Sequence, residues 1–133
     1  MTIMFTKNYR KMKIRLFSVI VILSSFAISC SQKEGCEKVS TQFETYDKAV
    51  DKIKSTHFKI EESANTSKSK WIKHASYYSC DGQKGFFILE TTKKEYLFSD
   101  LPYEVWKDFK IAESFGTFYN ENIRDKYKFN LTK

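Results

Sequence analysis

Acidic residues are missing from the first 29 positions of this 133-residue chain, and only 4 Gly and 1 Pro occur in the whole of it. No apolar run reaches the roughly 18–20 residues that a bilayer-spanning helix needs. Each shortage excludes something. Few Gly and Pro, with 17% aromatics, exclude a disordered linker or a low-complexity chain. The length leaves room for one domain and excludes a large multidomain enzyme. Walker loops, GxSxG and HExxH are absent, so no motif points to a cofactor. His57, His74 and the three cysteines lack the close spacing of a zinc site, so no metal is expected. No βαβ rhythm and no internal repeat is found.

What the chain does have is a one-signed start. Lys7, Arg10, Lys11, Lys13 and Arg15 precede Leu16–Ile28, which is apolar apart from three serines. These 13 residues match the h-region of an export signal, about 7–15 residues long behind a basic n-region. Removing residues 1–29 takes away five of the 23 basic and none of the 16 acidic residues, leaving a net charge of +2 instead of +7. Most of the basicity therefore belongs to the signal and says little about a polyanionic partner.

Ala27-Ile28-Ser29-Cys30 is similar to the lipobox of bacterial lipoproteins, with Ala27 where that box usually carries Leu, Val or Ile. Ala27-x-Ser29 also satisfies the small-x-small rule of ordinary signal peptidase, with cleavage at the same bond. The cysteine count bears on the choice, because three cysteines (Cys30, Cys36, Cys80) leave one thiol over in an exported protein. Lipidation of Cys30 uses it up. Cys36 and Cys80 are then either a disulfide, favoured by an oxidising compartment, or two free thiols.

Residues 30–44 read as a lipidated cysteine with a polar tether, and 45–133 as one domain. Tyr46, Ala49, Val50 and Ile53 recur at helical spacing behind Thr45 as N-cap. Phe58 and Ile60 read as a short strand, and Asn65–Lys70 as a loop. Trp71–Ser79 and Phe86–Thr92 read as a hairpin about the turn 81–85, followed by a strand over Glu95–Ser99. Lys93-Lys94 is a poor two-residue turn, so a longer connection is expected there. Pro102 fits the first position of a helix reaching Glu113, and Phe115–Ile123 a second one, with a last strand over Tyr127–Phe129. The order implies an α+β fold, a small antiparallel sheet with packed helices.

Several elements appear in a fixed order between Ser69 and Tyr127. They are Ser69 with Ile72, Tyr96-Leu97-Phe98, Leu101-Pro102, Ala112-x-Ser114-x-Gly116, Phe118-Tyr119-Asn120, Ile123-Arg124 and Tyr127. In this the stretch 69–127 resembles the KTSC domain, a module named for its place at the C-terminus of some lysyl-tRNA synthetases. The family's function is unknown, and RNA binding is what its association with the synthetase implies. In that version Tyr96 and Phe98 stack bases while Lys93, Lys94, Lys107 and Lys110 meet phosphates. The competing reading makes both aromatics core and the helix lysines a solvated face.

The remaining candidates are few. Cys80 beside His74 invites a nucleophile, yet nothing in the sequence supplies the cationic partner that would activate it. Glu61 and Glu62 are adjacent and point to opposite strand faces, so they cannot share a substrate. Gly116 serves a positive φ or a close approach and Ser114 a helix cap, with Ser114, Asn120 and Arg124 as alternative ligand contacts. The expectation is a small exported cell-envelope protein, held at the membrane by a lipid on Cys30 and binding a protein or envelope ligand, of an identity the sequence does not give, without catalysis. RNA binding is the alternative, although an exported domain rarely meets nucleic acid. A hydrolytic or redox enzyme is the third reading.

Overall fold

The computed structural model describes Gly35, Cys36, Val39 and residues 42–131. The export segment and Cys30 lie outside the described residues. Helix α1 spans Tyr46–Ser55, four strands follow as β1 (Ile60–Ser63), β2 (Ile72–Ser79), β3 (Lys84–Thr91) and β4 (Glu95–Pro102), and α2 (Tyr103–Ile111) and α3 (Phe115–Asn122) close the chain. The strands form one antiparallel sheet in the order β1-β2-β3-β4. This is the α+β single domain expected.

Local chemistry explains most element ends. Thr45 accepts the Lys48 amide at 3.4 Å and Asp47 sits in the first turn of α1, where a carboxylate meets the positive end of the helix. Ser114 caps α3 by accepting from the Thr117 amide at 3.3 Å. Pro102 is the N-cap of α2 rather than its first residue, because its backbone is still extended as the last position of β4. That helix stops at Ile111, short of Glu113.

Between β3 and β4 the connection is Thr92–Lys94, longer than Lys93-Lys94 alone. The Thr91 hydroxyl closes it, accepting from the Lys93 and Lys94 amides and donating to the Lys94 carbonyl at 2.8 Å. A side chain thereby does what Gly or Asn would do in a tighter turn. In β4, Ser99 and Asp100 together oppose Phe86, and Asp100 takes φ 56°, the bulge conformation that Asp tolerates.

Both sheet faces are covered, by different helices. On one face Ala75, Tyr77, Phe87, Leu89, Phe98 and Leu101 pack with Trp106 and Phe109 of α2 and Phe115 and Tyr119 of α3. On the other, Ile88 and Leu97 pack with Ala49, Val50 and Ile53 of α1 and with Phe43 and Phe58. Each Val or Ile side chain buried this way contributes about 1.5–3 kcal/mol relative to exposure.

Two expectations about the chain ends need correction. Phe43, within the stretch read as tether, is buried, and Cys36 and Val39 pack on the same cluster. An aromatic without helical or strand periodicity gave no pattern to detect. Tyr127–Phe129 is not a strand. Phe129 packs against Phe43 and Tyr46, and Ser99 reaches the Lys128 carbonyl through its hydroxyl at 2.9 Å, so the tail is held beside β4 without a ladder.

Candidate functional site

At one end of the sheet, the β2–β3 turn meets the start of the domain. Gly35 bridges to His57, the Cys36 amide donates to the His57 carbonyl at 3.0 Å, and Cys36 and Cys80 are joined as a disulfide, their Cα atoms 5.7 Å apart. That separation is ordinary for a disulfide. The Cys80 sulfur is therefore engaged with Cys36, while His57 faces Glu61 at 3.1 Å. Its neighbours serve the turn. Asp81 accepts the Gln83 amide at 2.8 Å and the Lys84 amide at 3.1 Å, and these hydrogen bonds hold its carboxyl below the ordinary value. The Ser79 hydroxyl takes the Gly82 amide at 3.0 Å and faces the Lys84 carbonyl at 2.6 Å.

A second polar cluster joins β1 to α2. Glu62 accepts from the Tyr103 hydroxyl at 2.8 Å, from the Trp106 indole at 2.7 Å and from the Lys110 ammonium. The Lys110 and Trp106 hydrogen bonds, outweighing burial, bring its carboxyl down to about 2. Ionised across the ordinary pH range and fully donated to, it is a latch rather than an acid-base group. Glu61 points the other way and takes the Phe58 amide at 2.7 Å, as adjacent strand positions require. Nothing in the sequence signals the latch, because its partners lie 41–48 residues from Glu62.

The family-derived residues gather around α3 without forming a site. Phe98 is buried between Phe87 and Tyr119, and half-buried Tyr96 lies against Phe98 and Tyr119. The Phe98 ring is thus core, and the Lys94 ammonium lies over the half-buried Tyr96 ring. Ser114 is occupied as the cap of α3. Asn120 and Arg124 sit near the other end of that helix, bonded to each other at 3.5 Å and exposed. Eight helical residues put the two ends roughly 12 Å apart, so the three side chains do not converge on one ligand. Gly116 has no positive φ. Its role is close approach, since a β-carbon there would stand 3.0 Å from the Trp71 indole nitrogen.

The four lysines proposed to meet phosphates are differently placed. Lys110 serves Glu62, Lys107 pairs with Glu104 at 2.7 Å and Lys94 lies 4.5 Å from the Tyr96 ring centre, leaving Lys93. Among the described residues no group of three His, Cys, Asp or Glu side chains could hold a metal ion.

Tyr96, Phe98, Tyr119 and the α2–α3 corner lie in a stretch that a known family's model covers. Residues 89–127 match the family model of the KTSC domain. The matched segment is thus the last three residues of β3, then β4, α2 and α3. Residues 69–88, which the sequence resemblance also included, lie outside the match. No curated protein and no solved structure matches the chain.

Proposed function

We propose that this chain is an exported protein anchored in the bacterial cell envelope through a lipid on Cys30, whose α+β domain binds an envelope protein and catalyses nothing. The observation that carries the reading is the Cys36–Cys80 pairing. Disulfides persist in exported proteins and are rare in the cytosol. With these two sulfurs joined, the thiol left over is Cys30, at the very position where the signal ends. The basic n-region and apolar h-region support export independently.

A binding role is supported by how the reactive side chains are used. The Cys80 sulfur, the Ser79 hydroxyl and the Asp81 and Glu62 carboxylates all have partners that shape turns or join elements. Fractionation tests the anchor. The wild-type chain is expected in the membrane fraction, released by detergent and not by salt, with Cys30→Ser in the soluble fraction. A Cys30→Ser chain that still sediments with membranes overturns the proposal.

A further inference from the structure

The two edges of the sheet are finished differently. β1 is four residues long, and so short an edge offers little to pair with. β4, the other edge, has eight residues. The Thr91 amide donates to the Lys94 carbonyl at 2.9 Å and the Thr92 amide to the Trp71 carbonyl at 2.9 Å, so odd residues here bond towards β4 and even ones towards β2. With Leu89 opposite Tyr96 and Phe87 opposite Phe98, Tyr96 and Phe98 turn their N–H and C=O groups to β3, while Glu95 and Leu97 turn theirs to the open side. Among the described residues no backbone group outside the sheet bonds to Glu95 or Leu97, although Leu97 is only 4% exposed.

The C-terminal tail lies beside this edge and does not use it. Tyr127 packs with the cluster on one face of the sheet and Phe129 with the cluster on the other. Side chains two apart in a paired strand share a face, so the tail steps across the edge instead of running along it. Beyond Tyr127 it makes no backbone–backbone hydrogen bond among the described residues. Its ties are the Ser99 hydroxyl on the Lys128 carbonyl and the Phe129 ring, centred 5.9 Å from Phe43 and 6.3 Å from Tyr46. Open N–H and C=O groups at a strand edge are matched by an extended polypeptide, which carries the same groups at the same spacing; nucleic acid and lipid carry none in that repeat. The backbone therefore selects the class of partner, and Phe129 shows which side chain seats beside it.

We infer that the outer edge of β4 takes up an extended segment of a partner protein by strand addition, with Glu95 and Leu97 making the backbone hydrogen bonds and a large apolar side chain of the partner replacing Phe129. The tail is then a displaceable cover. This rests on the binding role proposed above, which it deepens, and not on the lipid. The probe is a fluorescein-labelled peptide with the sequence of residues 125–133, followed by anisotropy with the full chain in nonionic detergent. Phe129→Ala releases the tail and is expected to bind the probe at least about tenfold more tightly than wild type, because a competing cover lowers apparent affinity. Ser99→Ala removes only the hydroxyl tie, is expected to tighten binding about two- to tenfold, and decides the matter if Phe129→Ala does not fold. A probe N-methylated at the positions of Lys128 and Phe129 lacks a donor whichever side faces β4, and is expected to bind at least about tenfold more weakly. In the complex the Leu97 amide is expected to exchange with deuterium at least about tenfold more slowly.

No binding of the probe by the folded variants overturns the inference, as does equal binding of the N-methylated probe or unchanged exchange at Leu97. A Phe129→Ala chain that dimerises without taking the probe assigns the edge to a second copy and overturns it too. Because the assay is run in detergent and repeated with Cys30→Ser, failure of the anchor would leave these outcomes unchanged.

Discussion

The indole of Trp71 occupies the space in which residue 116 would carry a β-carbon: built there, that carbon would stand 3.0 Å from Nε1 and 3.2 Å from Cζ2. Gly116 belongs to the KTSC segment and Trp71 to the loop before β2, so this contact holds α3 against that loop.

Gly116→Ala should therefore destabilise the domain by about 1–2 kcal/mol, because the indole must give way inside a packed corner. Gly85→Ala should be worse, at about 3 kcal/mol. There the added carbon meets the Tyr78 backbone carbonyl at 2.2 Å, and a strand cannot step aside as a ring can. Urea denaturation of the two variants checks the order. Equal losses would contradict it.

Stability should also carry the signature of Glu62. Its carboxyl is held at about 2 in the folded chain, below the ordinary 4.5, so folding favours its ionised form. That contribution is fully present above about pH 5 and is lost as pH falls towards 2. Glu62→Gln should lower stability at pH 7 by about 1–2 kcal/mol, since it weakens charge-assisted hydrogen bonds at a partly exposed site. At pH 2 the gap between wild type and variant should close. Denaturant midpoints measured from pH 2 to 7 give the comparison, and a gap independent of pH would rule the latch out.

Much of this fold is legible in the sequence, and the exceptions share a cause. Thr45 with the spacing of Ala49, Val50 and Ile53 announces α1, and the alternation of Tyr96, Leu97 and Phe98 announces β4. Both signals are local. Whether Phe98 is core or platform depends on Tyr119, which arrives from α3 and covers it. The Glu62 latch is set by α2 packing over β1, a contact that no periodicity encodes. Phe129 has the aromatic look of a strand, yet it packs on α1 with its backbone unpaired in any ladder.

If Tyr96 and Phe98 are packing residues, truncation should cost stability according to burial. Phe98→Ala should lose about 3 kcal/mol and Tyr96→Ala, half-buried, about 1–2 kcal/mol. Thermal unfolding of both variants measures it. A Phe98→Ala domain as stable as wild type would restore the platform reading.

Reduction should loosen the other end. The disulfide closes a loop with a sequence separation of 44, and opening it should remove about 3–4 kcal/mol in the chain-entropy account. Cys36→Ser should do the same without reductant. Unfolding curves that do not change on adding dithiothreitol would show the sulfurs to be free thiols in the native protein.

The most direct test of the whole account is the mass of the N-terminal peptide from protein extracted from bacterial membranes. The mature chain is expected to begin at Cys30 and carry a lipid on its sulfur. A chain that begins with unmodified Cys30, or still begins at Met1, would contradict it.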